Sequence, residues 1–397
     1  MLRRWHLILL ITEIVLLSLF LSSCSQPIEG NLLGVDLGDL KKSELSSFLE
    51  IMEERWLESP LSLKVNGLTI SLDKKELGIS WNIEEMKRFI LKGKGETVPL
   101  LFSWDEEKVK SLLDDLAQKT YSPPEDARLE EKRVIPSREG KKLDEEGAIL
   151  ELREALSRGK EEITLTTFQL LQPKIDTSLI LEKLGTPHLL ARYQTSLEGK
   201  DEPTVYNIQK ASSSINGYIL EKGEIFSFNN IVGRAEKEDG YLETSIMVNG
   251  RLSPGYGGGV CQVSSTLYNA LLSTEAQILE RHPHSGYSET TSYVPPGRDA
   301  AVSYGSKDLR FFYPAQKVVI FVYLQEGSLI CEIWGEKENS LQKTWETRVV
   351  SLERKGEKEG LLTVETTVRN GEKTEYRYQD IYLIPWELEQ KIKEEFQ

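Results

Sequence analysis

Cysteine and histidine are both rare in this sequence: three of the first and four of the second among 397 residues. The three cysteines, Cys24, Cys261 and Cys331, exclude a disulfide-rich scaffold and a cysteine-cluster metal site. Positive charge is short as well. Lysine and arginine number 49 against 63 acidic residues, a formal net charge of −14, so a generic nucleic-acid binder is not expected. The one long apolar run, Leu7 to Leu21, is broken by Thr12, Glu13 and Ser18. It falls short of the ~20 residues that a membrane-spanning helix needs. Nothing in the sequence asks for a cofactor or a metal. The length suits two or three domains.

What is present centres on Gly257-Gly258-Gly259-Val260-Cys261-Gln262-Val263-Ser264-Ser265-Thr266-Leu267-Tyr268-Asn269-Ala270. Val260, Val263, Leu267, Ala270 and Leu271 recur at helical steps, and the glycines allow a tight turn ahead of them. Cys261 is thereby expected on the first turn of a helix, where free N–H groups and the helix dipole favour a thiolate. The plain alternative is a small buried thiol.

Downstream stand Arg281-His282-Pro283-His284-Ser285 and Gly297-Arg298-Asp299-Ala300-Ala301-Val302-Ser303-Tyr304. A cysteine at a helix start, then histidine, then aspartate is the order found in transglutaminase-like and, with asparagine last, papain-like enzymes. Nucleophilic catalysis needs these types: a thiolate, an imidazole to move its proton, and a carboxylate to fix the tautomer. Cys261, His284 or His282, and Asp299 are the candidate catalytic residues. Gly258, Gly259, Gln262, Arg281 and Arg298 are candidate binding positions around them.

Competing readings exist for each. In an extended chain His282 and His284 face the same side, a possible metal pair with no further ligand in view beyond Asp299 or Cys261. Asp299 can equally form a structural ion pair with Arg281 or Arg298. Cys331, in the apolar stretch Leu329 to Trp334, reads as a core residue, and a disulfide from it to Cys261 would remove the nucleophile.

The block from about Arg192 to Gly335 resembles the VanW family. The matching segments are Asn207-Ile208, Ile215-Asn216-Gly217, Gly223 to Asn229, Gly240-Tyr241, the glycine–cysteine stretch, ERHPHS, YVPPGRDA and Tyr304 to Phe311. The chain departs from the family pattern at Thr274-Glu275-Ala276, where many members have a glycine. The resemblance favours His284 over His282 and implies a cell-wall context without fixing a reaction.

The remainder reads in order. Arg3 and Arg4 precede the apolar run, and Leu21-Ser22-Ser23-Cys24 resembles a lipobox. Residues 1–23 are thus expected to be a lipoprotein signal peptide, Cys24 the lipidated residue, and 24–33 a tether to the outer face of a bacterial cytoplasmic membrane. Helices are expected over Lys42–Trp56, Glu84–Lys94, Asp105–Lys119 and Ala148–Leu156. A hairpin turning at Asn66-Gly67 is expected within Leu61–Leu77. Region 34–178 is read as one α+β unit. From about Asp105 to Pro173 it resembles a peptidoglycan-binding domain, which makes peptidoglycan the expected partner.

Leu179 to Tyr193 reads as a connecting segment. In 190–335 strands are expected at Ala301–Tyr304, Leu309–Phe312, Val318–Leu324 and Leu329–Trp334. The fold class is therefore α+β, multidomain, with helices on a largely antiparallel sheet, and a papain/transglutaminase-like arrangement is one option for it. Residues 336–397 read as a β-hairpin-rich extension without chemistry, turning at Asn370-Gly371.

Two functions fit. One is cysteine-dependent acyl transfer or amide hydrolysis on peptidoglycan peptide stems, by a Cys-His-Asp acyltransferase or peptidase. The other is a non-catalytic wall-binding or assembly protein. The anchor generates the first prediction: mass spectrometry of the native N-terminus finds a lipid on Cys24, and an unlipidated N-terminus elsewhere would refute it.

Overall fold

The computed structural model describes residues 28, 30–93, 97–248, 251–288, 293–339 and 343–396; Cys24 and the signal peptide expected before it lie outside these. Among the described residues no helix is long and apolar enough to cross a membrane. The chain forms two compact units. One holds residues through Pro124 with Glu139–Gln172; the other holds Glu125–Arg138 with Pro173–Gln397.

In the first unit, helix α1 (Leu45–Glu58) leads into strands β1 (Leu61–Val65) and β2 (Leu68–Leu72). Asn66 and Gly67 both take positive φ, the conformation a two-residue hairpin turn requires. Helices α2 (Ile83–Leu91) and α3 (Glu106–Thr120) follow. Asp105 caps α3 by accepting from the Glu107 and Lys108 amides. The chain then leaves for β3 (Arg128–Glu130) and β4 (Arg133–Ile135), which belong to the second unit, and returns for α4 (Glu145–Ser157) and β5 (Glu162–Leu165). The sheet order is β5-β1-β2, with β5 parallel to β1. Leu49, Trp56, Leu63, Leu113, Leu116, Leu152 and Leu156 share one core.

The second unit continues with α5 (Thr177–Leu184), β6 (His188–Ser196), α6 (Glu202–Ile215), β7 (Tyr218–Leu220) and β8 (Ile225–Ser227). The hairpin β9 (Glu243–Val248) and β10 (Arg251–Tyr256) precedes α7 (Val260–Leu272) and β11 (Gln277–Glu280). Strands β12 (Arg310–Phe312), β13 (Val318–Gln325) and β14 (Ser328–Gly335) complete the central part. A ribbon of β15 (Lys343–Arg354), β16 (Glu359–Asn370) and β17 (Lys373–Pro385), then α8 (Glu389–Phe396), ends the chain.

The main sheet runs β6-β14-β13-β7-β4-β3 and is antiparallel in its printed pairings. β13 lies inside it, as its apolar character on both faces predicts. Helix α7 packs on β6 and β14, and α6 on β13.

Two segments differ from the sequence reading. Leu179 to Tyr193, read as a connection, is most of α5 and the first part of the edge strand β6. Ala301 to Tyr304, read as a strand, joins no sheet because other groups claim its backbone. Ala301 N–H donates to the His282 carbonyl at 2.7 Å, and Val302 N–H to Cys261 Sγ at 3.5 Å.

Gly217 shows how tightly β4 is seated. Its φ is +76°, and a Cβ there would stand 1.8 Å from the Val134 carbonyl oxygen. Gly217→Ala is expected to destabilise the second unit by about 2 kcal/mol or more. Chemical denaturation of the full chain measures this; an unchanged midpoint would show that β4 is not held there.

Candidate active site

Helix α7 begins where the sequence places it. Gly257 and Gly259 take positive φ of +75° and +98°, and Gly259 is the N-cap. The glycines are also needed for space: a Cβ on Gly258 would lie 2.0 Å from Thr244 Oγ1, and one on Gly259 2.6 Å from Ile208 Cγ1. Their role in this structure is the turn and its close contacts. Val260 and Gln262 N–H groups donate to the Gly257 and Gly259 carbonyls, a pattern that does not use the Cys261 N–H. Cys261 is the second residue of the helix and is half-buried.

The helix is apolar on one face and polar on the other, and both faces are buried. The polar face grips the loop Gly297–Val302. Ser264 Oγ donates to the Ala300 carbonyl at 2.6 Å, Ala300 N–H to Ser265 Oγ at 2.9 Å, and Asn269 Nδ2 to the Arg298 carbonyl at 2.8 Å. The ribbon holds the same loop from another direction. Tyr378 donates its hydroxyl to the Gly297 carbonyl at 2.8 Å, and Gly297 N–H donates to the Tyr382 hydroxyl at 2.8 Å.

Asp299 is thereby fixed in the interior. One oxygen, Oδ2, accepts from His284 N–H at 2.7 Å and pairs with His284 Nδ1 at 2.6 Å. The other, Oδ1, accepts from Arg281 Nη2 at 2.9 Å and from the Tyr382 hydroxyl at 2.6 Å. Arg281 reaches onward, Nη1 to Asp380 Oδ2 at 2.5 Å. With Nδ1 committed to Asp299, Nε2 is the His284 nitrogen left for Cys261, whose thiol is electrostatically coupled to the imidazole. His284 is steadied by β17, since Leu383 N–H donates to the Ser285 carbonyl at 3.0 Å.

These contacts set the charges. Burial works to raise the Asp299 pKa, but His284 and Arg281 outweigh it and hold the carboxyl at about 2. Burial works to lower the His284 pKa, but the bonds to Asp299 and Cys261 carry it to about 10. Burial works against the Cys261 thiolate, yet the His284 hydrogen bond and charge and the Val302 N–H bring its pKa down. The imidazole is thereby favoured in its protonated form, and the thiol is drawn toward thiolate. The contribution of Asp299 to stability is present above its unfolded pKa of ~3.9 and lost as pH falls through about 2. That of His284 is present below ~6.5 and lost as pH rises through about 10.

The other candidates lie elsewhere. His282 turns outward to Glu280 Oε1 at 3.0 Å, so the two histidines do not converge on a metal. Gln262 spends its Nε2 on Thr195 Oγ1 at 3.0 Å and the Ser196 carbonyl at 2.9 Å, in the core rather than beside the thiol. Arg298 lies against Trp345 and Tyr193, 4.6 and 5.4 Å from the ring centres. Of the two arginines considered for Asp299, Arg281 forms the pair, and Asp299 holds His284 at the same time. Cys331 is buried on β14, its thiol pushed up by burial, and both it and Cys261 are free.

Sequence reasoning missed Tyr378, Asp380 and Tyr382 in a ribbon read as inert. Their alternation with Tyr376 along one strand face was the available signal. It also missed Tyr293, whose hydroxyl is buried beside Ser265 without a well-formed hydrogen bond, and whose ionisation Cys261 and Asp299 oppose after burial itself.

Fold and site thus define an α+β protein with a buried Cys-His-Asp constellation. The family described as VanW like protein matches residues 204–334, and the one described as "Putative peptidoglycan binding domain" matches residues 70–164. The second match begins well before the Asp105 start expected from the sequence.

The uncharacterized protein YoaR of Bacillus subtilis (strain 168) is 36% identical over 234 residues, 58% of this chain and 75% of that protein. The vancomycin B-type resistance protein VanW of Enterococcus faecalis (strain ATCC 700802 / V583) is 31% identical over 140 residues, 34% of this chain. This chain spans about half, 51%, of the length of that relative. No solved structure matches. The chain belongs to the VanW family, and its peptidoglycan-binding domain supports a cell-wall-associated role. Tyr378, Asp380 and Tyr382 lie beyond the VanW match.

Alkylation by iodoacetamide as a function of pH tests the ion pair. Cys261 is expected to react below the ordinary thiol range near ~8.5, with Cys331 inert at every pH. His284→Ala should move the Cys261 curve upward, and Asp299→Asn should move it less. An ordinary thiol curve that ignores His284 would contradict this geometry.

Proposed function

We propose that the chain is an extracytoplasmic cell-wall protein, anchored through Cys24, in which Cys261 performs acyl transfer or amide hydrolysis on peptidoglycan peptide stems. The observation that carries this reading is the buried Asp299–His284 hydrogen bond, with the imidazole coupled to the Cys261 thiol at a helix N-terminus. The Cys261 thiolate attacks the amide carbonyl carbon and forms a C–S bond. The carbonyl electrons move to oxygen, where the Cys261 N–H and the Tyr293 hydroxyl are available donors. As the tetrahedral species collapses the C–N bond breaks, and His284 Nε2 gives its proton to the departing amine. Water or a second amine then attacks the thioester carbonyl while His284 Nε2 takes up the nucleophile's proton; the C–S bond breaks and Cys261 departs as the thiolate, which restores the starting charges. Asp299 keeps the imidazole oriented throughout.

A second reading, a non-catalytic binding or assembly protein, draws on the bracketing of Cys261 Sγ by both Val302 backbone groups at 3.5 Å. Incubating the full chain with stem peptides isolated from peptidoglycan separates the two. The catalytic reading expects a new amine or hydrolysed product by mass spectrometry, a Cys261-linked acyl adduct on short quenching, and loss of turnover by at least ~100-fold in Cys261→Ala. Turnover by Cys261→Ala equal to wild type, or no reaction of the wild-type chain with stem peptides of any amide linkage, would favour the binding module.

A further inference from the structure

Away from Cys261, a cavity of about 680 Å³ opens where β11 and α7 meet the ribbon, within the ~300–1,000 Å³ usual for small-molecule sites. Its wall is aromatic. Tyr376 and Tyr378, on one face of β17, stack with ring centres 6.2 Å apart and planes 18° from parallel. Tyr378 is anchored by its hydroxyl to Tyr268 at 2.8 Å, whereas Tyr376 is 37% exposed, so one ring presents an open apolar surface.

The charges around these rings are largely matched in place. Arg281 is held by Asp299 and Asp380, and Lys343, with only 7% of its side chain exposed, pairs with Glu375 at 2.9 Å. Glu275 is held by an amide, Gln316 Nε2 at 2.8 Å, rather than by a cation. Both cations of the lining therefore already face carboxylates, and an anionic ligand finds no uncompensated partner. Carboxylate oxygens and the Lys343 ammonium remain as hydrogen-bonding groups beside a flat apolar face. That combination suits a neutral ligand with one C–H face and an edge of hydroxyl and amide groups.

We propose that this cavity is a saccharide-binding site for a neutral amino-sugar glycan, a sugar ring lying on Tyr376 with its polar edge toward Glu275, Glu375 and Lys343. It is separate from the peptidoglycan-binding match at residues 70–164, and it stands whether or not Cys261 is catalytic.

Calorimetric titration of the full chain with β-1,4-linked tri-N-acetylglucosamine tests it, alongside Tyr376→Ala, Tyr376→Phe and, as a cationic probe, free lysine. A saturable saccharide signal is expected, weakened about tenfold or more in Tyr376→Ala and retained in Tyr376→Phe. Because the glycan can also occupy the first unit, affinity unchanged in Tyr376→Ala would overturn the proposal. So would the lack of saturable saccharide binding, or binding of lysine alone. Protection of Tyr376 from nitration by the same saccharide in the wild-type chain provides a variant-free check: protection supports the site, and undiminished nitration at saturation refutes it.

Discussion

An ionised carboxylate in a protein interior has to be surrounded by donors, and Asp299 is. It sits 3% exposed and receives hydrogen bonds from a backbone amide, an imidazole, a guanidinium and a phenol. Removing any one leaves a buried charge less compensated, a cost on the order of 1–3 kcal/mol or more. Three of these donors come from one short segment, Arg281 to His284, and the fourth from a distant one. His284 and Arg281 follow β11, while Tyr382 lies about a hundred residues further on in the ribbon. Satisfying this one carboxylate thus draws the loop, the histidine segment and the ribbon together, and the thiol at the head of α7 receives the imidazole that results.

The same constraint explains why a helix with a polar face is buried all round. Ser264, Ser265 and Asn269 are ordinarily unfavourable inside a helix because they compete for backbone groups. Here Ser264, Ser265 and Asn269 bond to backbone groups of Arg298 and Ala300, and so fix Asp299 between them. The ribbon does the corresponding work on the far side of Gly297. A Cβ on Gly297, at φ +85°, would come 2.3 Å from Thr366 Oγ1, so only glycine permits that approach. A C-terminal extension beyond the matched VanW region is consequently part of the site's support.

Much of this was legible from residue order. Glycine freedom and helical spacing located the start of α7 and put Cys261 in its first turn. Asn-Gly pairs marked the turns at Asn66-Gly67 and Asn370-Gly371, and the two-sided apolar pattern of β13 marked an interior strand. The partners of Asp299 were only half legible. A local pairing with Arg281 could be imagined from the sequence, but a phenol from Tyr382 could not, because cross-chain pairing depends on tertiary register rather than spacing. The strand expected at Ala301–Tyr304 failed for a related reason. Its β propensity was real, but its N–H groups were taken by His282 and Cys261 before any ladder could use them. Gln262, adjacent to the thiol in sequence, points away from it, since consecutive helix residues diverge by about 100°.

The claim on which the rest turns is that Asp299 holds His284 as an imidazolium facing a Cys261 thiolate. Nitrogen-15 NMR of the His284 ring at neutral pH tests this most directly, because both ring nitrogens report their own protonation. Two protonated nitrogens, reverting to a single proton only near pH 10, is the expected result. A neutral imidazole at pH 7, with Nε2 bare and an ordinary thiol beside it, would contradict it.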